Sequence, residues 1–227
     1  MSCCPRCELE TELRRVGSSP LLAGGGVAIY EGLLLPSTLG QLLDEALSGS
    51  RRHDFFPSGC DSERVRGGTP ARAIQSVAGG PVQDALFGSH ALSAFVAQQV
   101  QAPIRPHGMR ASYSIYAGEG AHLGIHRDVR GCDLALITCL HDSEADAQGG
   151  AIDVWFDQTA TPLNEVRHSC DVGYMRLALQ PGQSMLMHGG VLPHRIPPLR
   201  GDRVRIVSLM CFEICSRRTA RSAWSWT

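Results

Sequence analysis

From residue 111 onward the chain breaks into short runs of strand-forming residues separated by glycine-rich turns. This spacing restricts the fold more than any other feature. Ala111 to Tyr116 alternates in the manner of a half-buried strand, and Leu134 to Leu140 is a mostly apolar run. Ile152, Val154 and Phe156 share one face of the next segment, and Trp155 faces the other way, toward a pocket or toward supporting helices. Leu177 to Leu179 leads to a turn at Pro181-Gly182, Ser184 to Met187 is short, and Arg203 to Glu213 is long. Short strands joined in this way predict a β-sandwich or jelly roll. The 25 glycines and 13 prolines suit such a fold better than a helical bundle.

The first half reads differently. Residues 37–48 are predicted to be a helix capped by Ser37, with Leu39, Leu42, Leu43, Ala46 and Leu47 on one face. The polar stretch 49–68 reads as a long loop over a binding site. Thr69-Pro70 is predicted to start a second helix, and Leu92, Phe95, Val96 and Val100 mark another near 90–100. The expected class is therefore mainly β with flanking N-terminal helices, an α+β arrangement around a double-stranded β-helix of the cupin-like jelly-roll kind. The expected organisation is a loosely ordered arm over 1–20, one domain over 21–215, and a tail over 216–227. Within that domain, helical support spans about 21–107 and the jelly-roll core about 108–215.

Composition narrows the function. The chain is 43% apolar and 19% charged with a net charge of −1, which favours neither nucleic acid nor an anionic membrane as partner. All 21 basic residues are arginine, so no Schiff-base lysine is available and any fixed cation holding a carboxylate must be arginine. With no secretory signal and no apolar stretch long enough to span a bilayer, a cytoplasmic location is expected. The nine cysteines are then expected to be free thiols. Cys3, Cys4 and Cys7 have the spacing of half a zinc site whose second half is missing.

The chemistry concentrates in His126-Arg127-Asp128, His194 and Arg203. In an extended segment His126 and Asp128 point the same way and can reach one ion. His194 completes the set only if the sheet brings it back, as a jelly roll does. Two imidazoles and a carboxylate suit Fe(II) and leave coordination positions open. His188 competes with His194 for the third position, and a His122–His126 zinc pair would need a helix that Gly118, Gly120 and Gly124 disfavour. Arg203 is a candidate clamp for an acidic co-substrate, with Arg205 as its rival on the same strand face.

The order of these elements resembles the Fe(II)/2-oxoglutarate-dependent oxygenases, in particular their prolyl-hydroxylase-like branch. Tyr116-Ala117-Gly118 before His126-Arg127-Asp128 resembles the family's strand and His-x-Asp loop. Gly149-Gly150-Ala151-Ile152 is similar to its Gly-Gly strand opening, and Pro181 to Leu186 to the strand before the second histidine. His194, followed by Gly201-Asp202-Arg203, resembles the distal histidine with its arginine signature. The likeness covers residues 111–213. It implies that His126, Asp128 and His194 bind Fe(II), and that Arg203 holds the far carboxylate of 2-oxoglutarate with Tyr116 assisting. It also implies that O2 is consumed, with ascorbate as a supportive reductant and succinate and CO2 as co-products. Asp128 argues against the halogenase branch, which has Gly or Ala there.

Hydroxylation of an unactivated C–H in a small molecule, amino acid or peptide-derived compound is the default expectation, with tailoring of a bacterial natural product in view. A peptidyl or protein hydroxylase of the prolyl-hydroxylase type and a cupin-like metal-binding protein without oxygenase activity are the alternatives. The expected substrate region draws on 49–68, 141–148 and 157–176. It includes Arg51, Arg52, Arg64, Arg66 and Arg167 beside Asp54, Asp142, Glu144 and Asp146.

Overall fold

A computed structural model describes residues 19–57, 60–62, 65–107, 111–144, 150–169 and 171–215. The Cys3, Cys4 and Cys7 cluster and the tail from 216 lie outside the described residues. Ser19 caps α1 (Pro20–Ala23) by accepting the Leu22 N–H at 3.2 Å. β1 (Val27–Tyr30) and α2 (Pro36–Ser48) follow. Ser37 falls inside α2 rather than capping it. Leu35 is the cap residue, and Pro36 occupies the first turn, where its missing N–H has no partner to lose.

Two expectations differ from the structure. The stretch read as a loop contains β2 (Arg51–Phe56), β3 (Cys60–Ser62) and β4 (Val65–Thr69), and the helix expected after Pro70 is a strand, β5 (Arg72–Ala78). The reason is tertiary. Val77 packs outward among helix residues while Ile74 packs inward against the core, a burial period of two that only a strand satisfies. Polar β2 then pairs along the free edge of β5 from Arg51↔Val77 to Phe56↔Arg72.

The helix placed at Thr69-Pro70 begins instead at Pro81, as α3 (Pro81–Phe87). Its first amides are satisfied from a distance. The Glu45 carboxylate accepts from the N–H groups of Gly80, Val82 and Gln83 at 3.1, 2.8 and 3.1 Å, and from the Tyr113 hydroxyl at 2.6 Å. One side chain of α2 therefore locks α3 and the sheet together. α4 (His90–Val100) is capped by Ser89, as the expected helix near 90–100 requires.

The remaining elements are β6 (Ile104–Pro106), β7 (Ser112–Ala117), β8 (His122–His126), β9 (Leu134–Asp142), β10 (Ile152–Val154), α5 (Leu163–His168), β11 (Met175–Leu177), β12 (Ser184–Met187), β13 (His194–Ile196) and β14 (Val204–Ile214). β10 stops at Val154, so Phe156 leaves the strand face for a 3-10 turn.

One antiparallel sheet runs in the order β1-β12-β9-β14-β7-β5-β8-β13-β10-β11. β5 joins the two walls, pairing through Gln75–Ala78 with β7 and through Arg72–Ala73 with β8. The sheet thus curls on itself, and Tyr116, Cys139, Ile152, Val154, Met185 and Val207 fill the space inside. Its outer face is covered by α2 to α4, which pack on Tyr113, Ile115, Ile206, Leu134, Met210 and Phe212. The architecture is mainly β, a double-stranded β-helix. Trp155 packs with Ile125, Val166 and Tyr174 beneath α5, and its indole N–H donates to the Val172 carbonyl at 3.0 Å. Among the described residues no helix is long and apolar enough to cross a membrane.

The expectation of free thiols throughout is also corrected. β9 and β14 run side by side, and this pairing brings Cys132 and Cys211 to a Cα–Cα distance of 4.9 Å, joined as a disulfide. Cys139 and Cys215 are free. The bridge spans a sequence separation of 79 residues. Loop-closure entropy for a span of that size is worth up to about 4.5 kcal/mol. Reduction, or the double substitution Cys132→Ala and Cys211→Ala, is therefore expected to lower the denaturant midpoint. Equal midpoints with and without reductant would show that the bridge does not stabilise the fold.

Candidate metal centre and carboxylate pocket

β8 and β13 are antiparallel neighbours in which His194 stands directly opposite His126. The two rings lie 4.2 Å apart between centroids and are inclined by 54°. Asp128 follows just past the end of β8 and is fixed by its own N–H, which donates to the Gly189 carbonyl at 2.8 Å. Its Oδ1 lies 3.7 Å from the Nε2 atom of each imidazole. One donor atom from each of the three side chains falls within 4.8 Å of the others. The structure thus brings together the three residues named from sequence, and the grouping contains His194 rather than His188.

The electrostatics favour coordination. Nδ1 of His126 faces the Gly124 carbonyl at 2.8 Å, and Nδ1 of His194 faces the Leu192 carbonyl at 2.9 Å. A carbonyl only accepts, so each Nδ1 carries the hydrogen and each Nε2 presents a lone pair toward Asp128. Burial pushes the His126 pKa down to about 4, with the neighbouring His194 adding to the effect. Burial does the same to His194, again to about 4. Both rings are neutral at physiological pH, the form that binds metal.

Arg127, between the two candidate ligands, points the other way. Its Nε donates to the Val191 carbonyl at 2.8 Å, and its Nη2 to the carbonyls of Gln158, Thr159 and Thr161 at 2.8, 3.0 and 2.8 Å. It ties the loop after β10 to the turn before β13. Gly189, in that turn, lies so close to Asp128 that a β carbon would overlap the carboxylate.

A second cluster lies at the start of β14. Asp142, at the end of β9, accepts from Arg203 Nε and Nη2 at 2.7 Å each and from Arg205 Nη1 at 2.7 Å. Burial alone would raise the Asp142 pKa, but the bonds from Arg203 and Arg205 outweigh it and hold the group below the usual carboxylate range. Arg205 also donates to the Leu179 carbonyl at 3.2 Å. Its Nε and Nη2 are buried without a hydrogen-bond partner. Tyr116 stands opposite Arg205 in the β7–β14 register. Burial pushes the Tyr116 phenol up to about 12 against the opposing charge of Arg205, so it stays protonated. Gly150, in the left-handed region at φ +62°, leaves room for this cluster: a β carbon there would sit 3.1 Å from Arg205 Cδ.

Sequence reasoning missed three residues. Asp142 was read as a loop charge but is a buried strand residue. Arg127 carried no signal beyond its place between two candidate ligands, and Gly189 was one glycine among many. Of the arginines expected to meet substrate, Arg167 donates instead to the Ile125 carbonyl, and Arg52 pairs with Asp54. The side chains of Arg64 and Arg66, and Asp146, lie outside the described residues.

Gly189→Ala is expected to displace Asp128 and weaken Mn(II) binding at least tenfold while the fold survives; unchanged affinity by titration calorimetry would refute this seating of the carboxylate. A pH effect follows as well. The folded imidazoles refuse protons that the unfolded chain accepts as pH falls from 6.5 toward 4, so the metal-free protein should lose stability across that window. A His126→Gln, His194→Gln variant should show a flatter melting-temperature profile over the same range.

No protein-family model and no curated protein matches the sequence. Solved structures match it in fold. The epimerase SnoN of nogalamycin biosynthesis, described as non-heme and alpha ketoglutarate dependent, superposes with a TM-score of 0.63 at 13% identity, over 91% of this chain and 81% of that one. An oxidoreductase of the 2OG-Fe(II) oxygenase family from Burkholderia pseudomallei gives 0.59 at 11%, over 94% and 93%. A prolyl-4-hydroxylase from Pseudomonas putida gives 0.53 at 13%, over 92% and 100%. The fold of this chain is therefore the one shared by these 2-oxoglutarate oxygenases, prolyl hydroxylases among them.

Proposed function

We propose that this protein is an Fe(II)/2-oxoglutarate-dependent oxygenase acting on a small-molecule or peptide substrate. The observation that carries the reading is the presence, in one curled sheet, of a His-Asp-His donor set with neutral imidazoles and a buried guanidinium edge with no partner. His126, Asp128 and His194 would hold the ion, and two imidazole nitrogens with one carboxylate oxygen are a donor set suited to ferrous iron. When bound, the iron with 2-oxoglutarate and O2 supplies an oxidant able to hydroxylate an unactivated C–H bond, with succinate and CO2 as co-products.

The chain's own residues do the rest. Arg203 has its Nε and Nη2 committed to Asp142, whereas Arg205 keeps Nε and Nη2 without a partner. Arg205 is therefore the anchor we assign to the far carboxylate of 2-oxoglutarate, with Arg203 and Asp142 holding it in place. Among the buried described groups of the cluster, two guanidiniums against one carboxylate leave a single positive charge, matched by one ligand carboxylate. The protonated Tyr116 beside Arg205 supplies a further donor. Support for the kind of substrate comes from structures of the same fold: HygX from Streptomyces hygroscopicus was solved with nickel, 2-oxoglutarate and hygromycin B, and a Trichoplax adhaerens prolyl hydroxylase with a peptide fragment.

Bonds to charged groups contribute about 1.5–3 kcal/mol each. Arg205→Gln should thus weaken 2-oxoglutarate binding to the Mn(II)-loaded protein by about a hundredfold, at 1.4 kcal/mol per decade, with Mn(II) affinity intact. Arg203→Gln should have the smaller effect; the reverse order would return the anchor to Arg203. Purified protein with Fe(II), ascorbate and 2-oxoglutarate should release succinate, and His126→Ala should not. Metal binding that is indifferent to 2-oxoglutarate in every variant would leave a cupin-like protein without oxygenase activity.

A further inference from the structure

We propose that Arg72 and Phe56 form a subsite for a carboxylate on the substrate, at the end of the sheet beside the metal centre. This deepens the reading above and rests on it. Arg72 opens β5, opposite Phe56 on β2 and opposite Leu123 on β8. Directly opposed residues in an antiparallel pair share a face. Ile74, two residues along on that face, packs against the core inside the curl, as does Leu123. The Arg72 side chain therefore lies on the inner face of the sheet.

Leu123 in turn pairs with Ile196, and Ile196 is two residues beyond His194 on β13. At about 3.3 Å per residue, this places the Arg72 row on the order of 10 Å from the imidazole pair, counting the step between strands.

Among the described residues the guanidinium is held without being neutralised. Its Cζ lies over the Phe56 ring at 4.3 Å from the centroid, a cation–π contact. Its Nε is buried with no hydrogen-bond partner. Among the described residues no carboxylate pairs with it. Asp54, on the same face of the β2–β5 ribbon, is committed to Arg52 and accepts from the Ser76 hydroxyl. A part-buried cation lacking a counter-charge is costly, and the cost is removed when a ligand brings one. Phe56 remains 40% exposed, so apolar surface adjoins the cation. The complementary ligand is a carboxylate carried on an apolar or aromatic body, with the carbon to be oxidised several bonds away from it.

The test uses the full chain loaded with Mn(II) and saturated with 2-oxoglutarate, so that the Arg205 pocket is filled. Two probes of one shape are titrated by calorimetry, 3-phenylpropionate and its neutral amide, 3-phenylpropionamide. The acid is expected to bind at least tenfold more tightly than the amide. Arg72→Gln should abolish that preference, and Arg72→Lys should restore part of it. Absence of acid binding, equal binding of acid and amide, or a preference that survives Arg72→Gln would overturn the proposal. The comparison of acid with amide in the unsubstituted protein needs no variant to fold. Failure of the oxygenase reading would show separately, as failure of 2-oxoglutarate to bind in the loading step.

Discussion

The pairing of His194 against His126 is the contact on which the rest of the site depends. The two residues are far apart along the chain, and neither β8 nor β13 has any local reason to place an imidazole beside another. Only the curl of the sheet, turned through β5 from one wall to the other, makes them neighbours. Once they are neighbours, the backbone carbonyls of Gly124 and Leu192 select the tautomer, burial removes the charge, and the bond from the Asp128 N–H to Gly189 brings the carboxylate alongside. Global topology sets the positions and local hydrogen bonding sets the chemistry.

Charge balance shows the same division of labour at the other cluster. A buried guanidinium needs an anion, and Asp142 serves two of them at once. On the proposed reading this shared carboxylate keeps both arginines oriented in the absence of ligand yet leaves one edge of Arg205 for it. An arginine pair without Asp142 would repel, and a pair with two acids would have no attraction left for a third. Arginine rather than lysine suits this geometry, since a planar fork can face Asp142 with one edge and the ligand with the other.

Much of this was legible in the sequence. β7, β9, β10, β12 and β14 follow from alternation and glycine-rich turns, and the candidate metal-ligating residues follow from their spacing, whereas the short β8 and β13 carry no strand signal of their own. The N-terminal half was harder, because β2 and β5 carry a composition that local rules read as loop and helix. β5 takes its strand character from pairing with β7 and β8, and β2 from pairing with β5, which no window of sequence contains. Asp142 looked like a solvent-facing loop charge for a related reason: its partners lie on β14, and only their arrival buries it. The bridge between Cys132 and Cys211 was hidden likewise, since an odd cysteine count gives no pairing until β9 and β14 are adjacent.

Arg127 adds a side-chain tie between two segments that the β10–β13 pairing already sets side by side. It sits between two metal-ligand candidates, and its four bonds run to the loop after β10 and the turn before β13. Remodelling of residues 158–161 would therefore be transmitted through one stiff guanidinium into the alignment of His126 and Asp128. Lineages of this protein that diversify should alter that loop only in ways that keep its carbonyls aimed inward, and should find their freedom to change elsewhere along the rim.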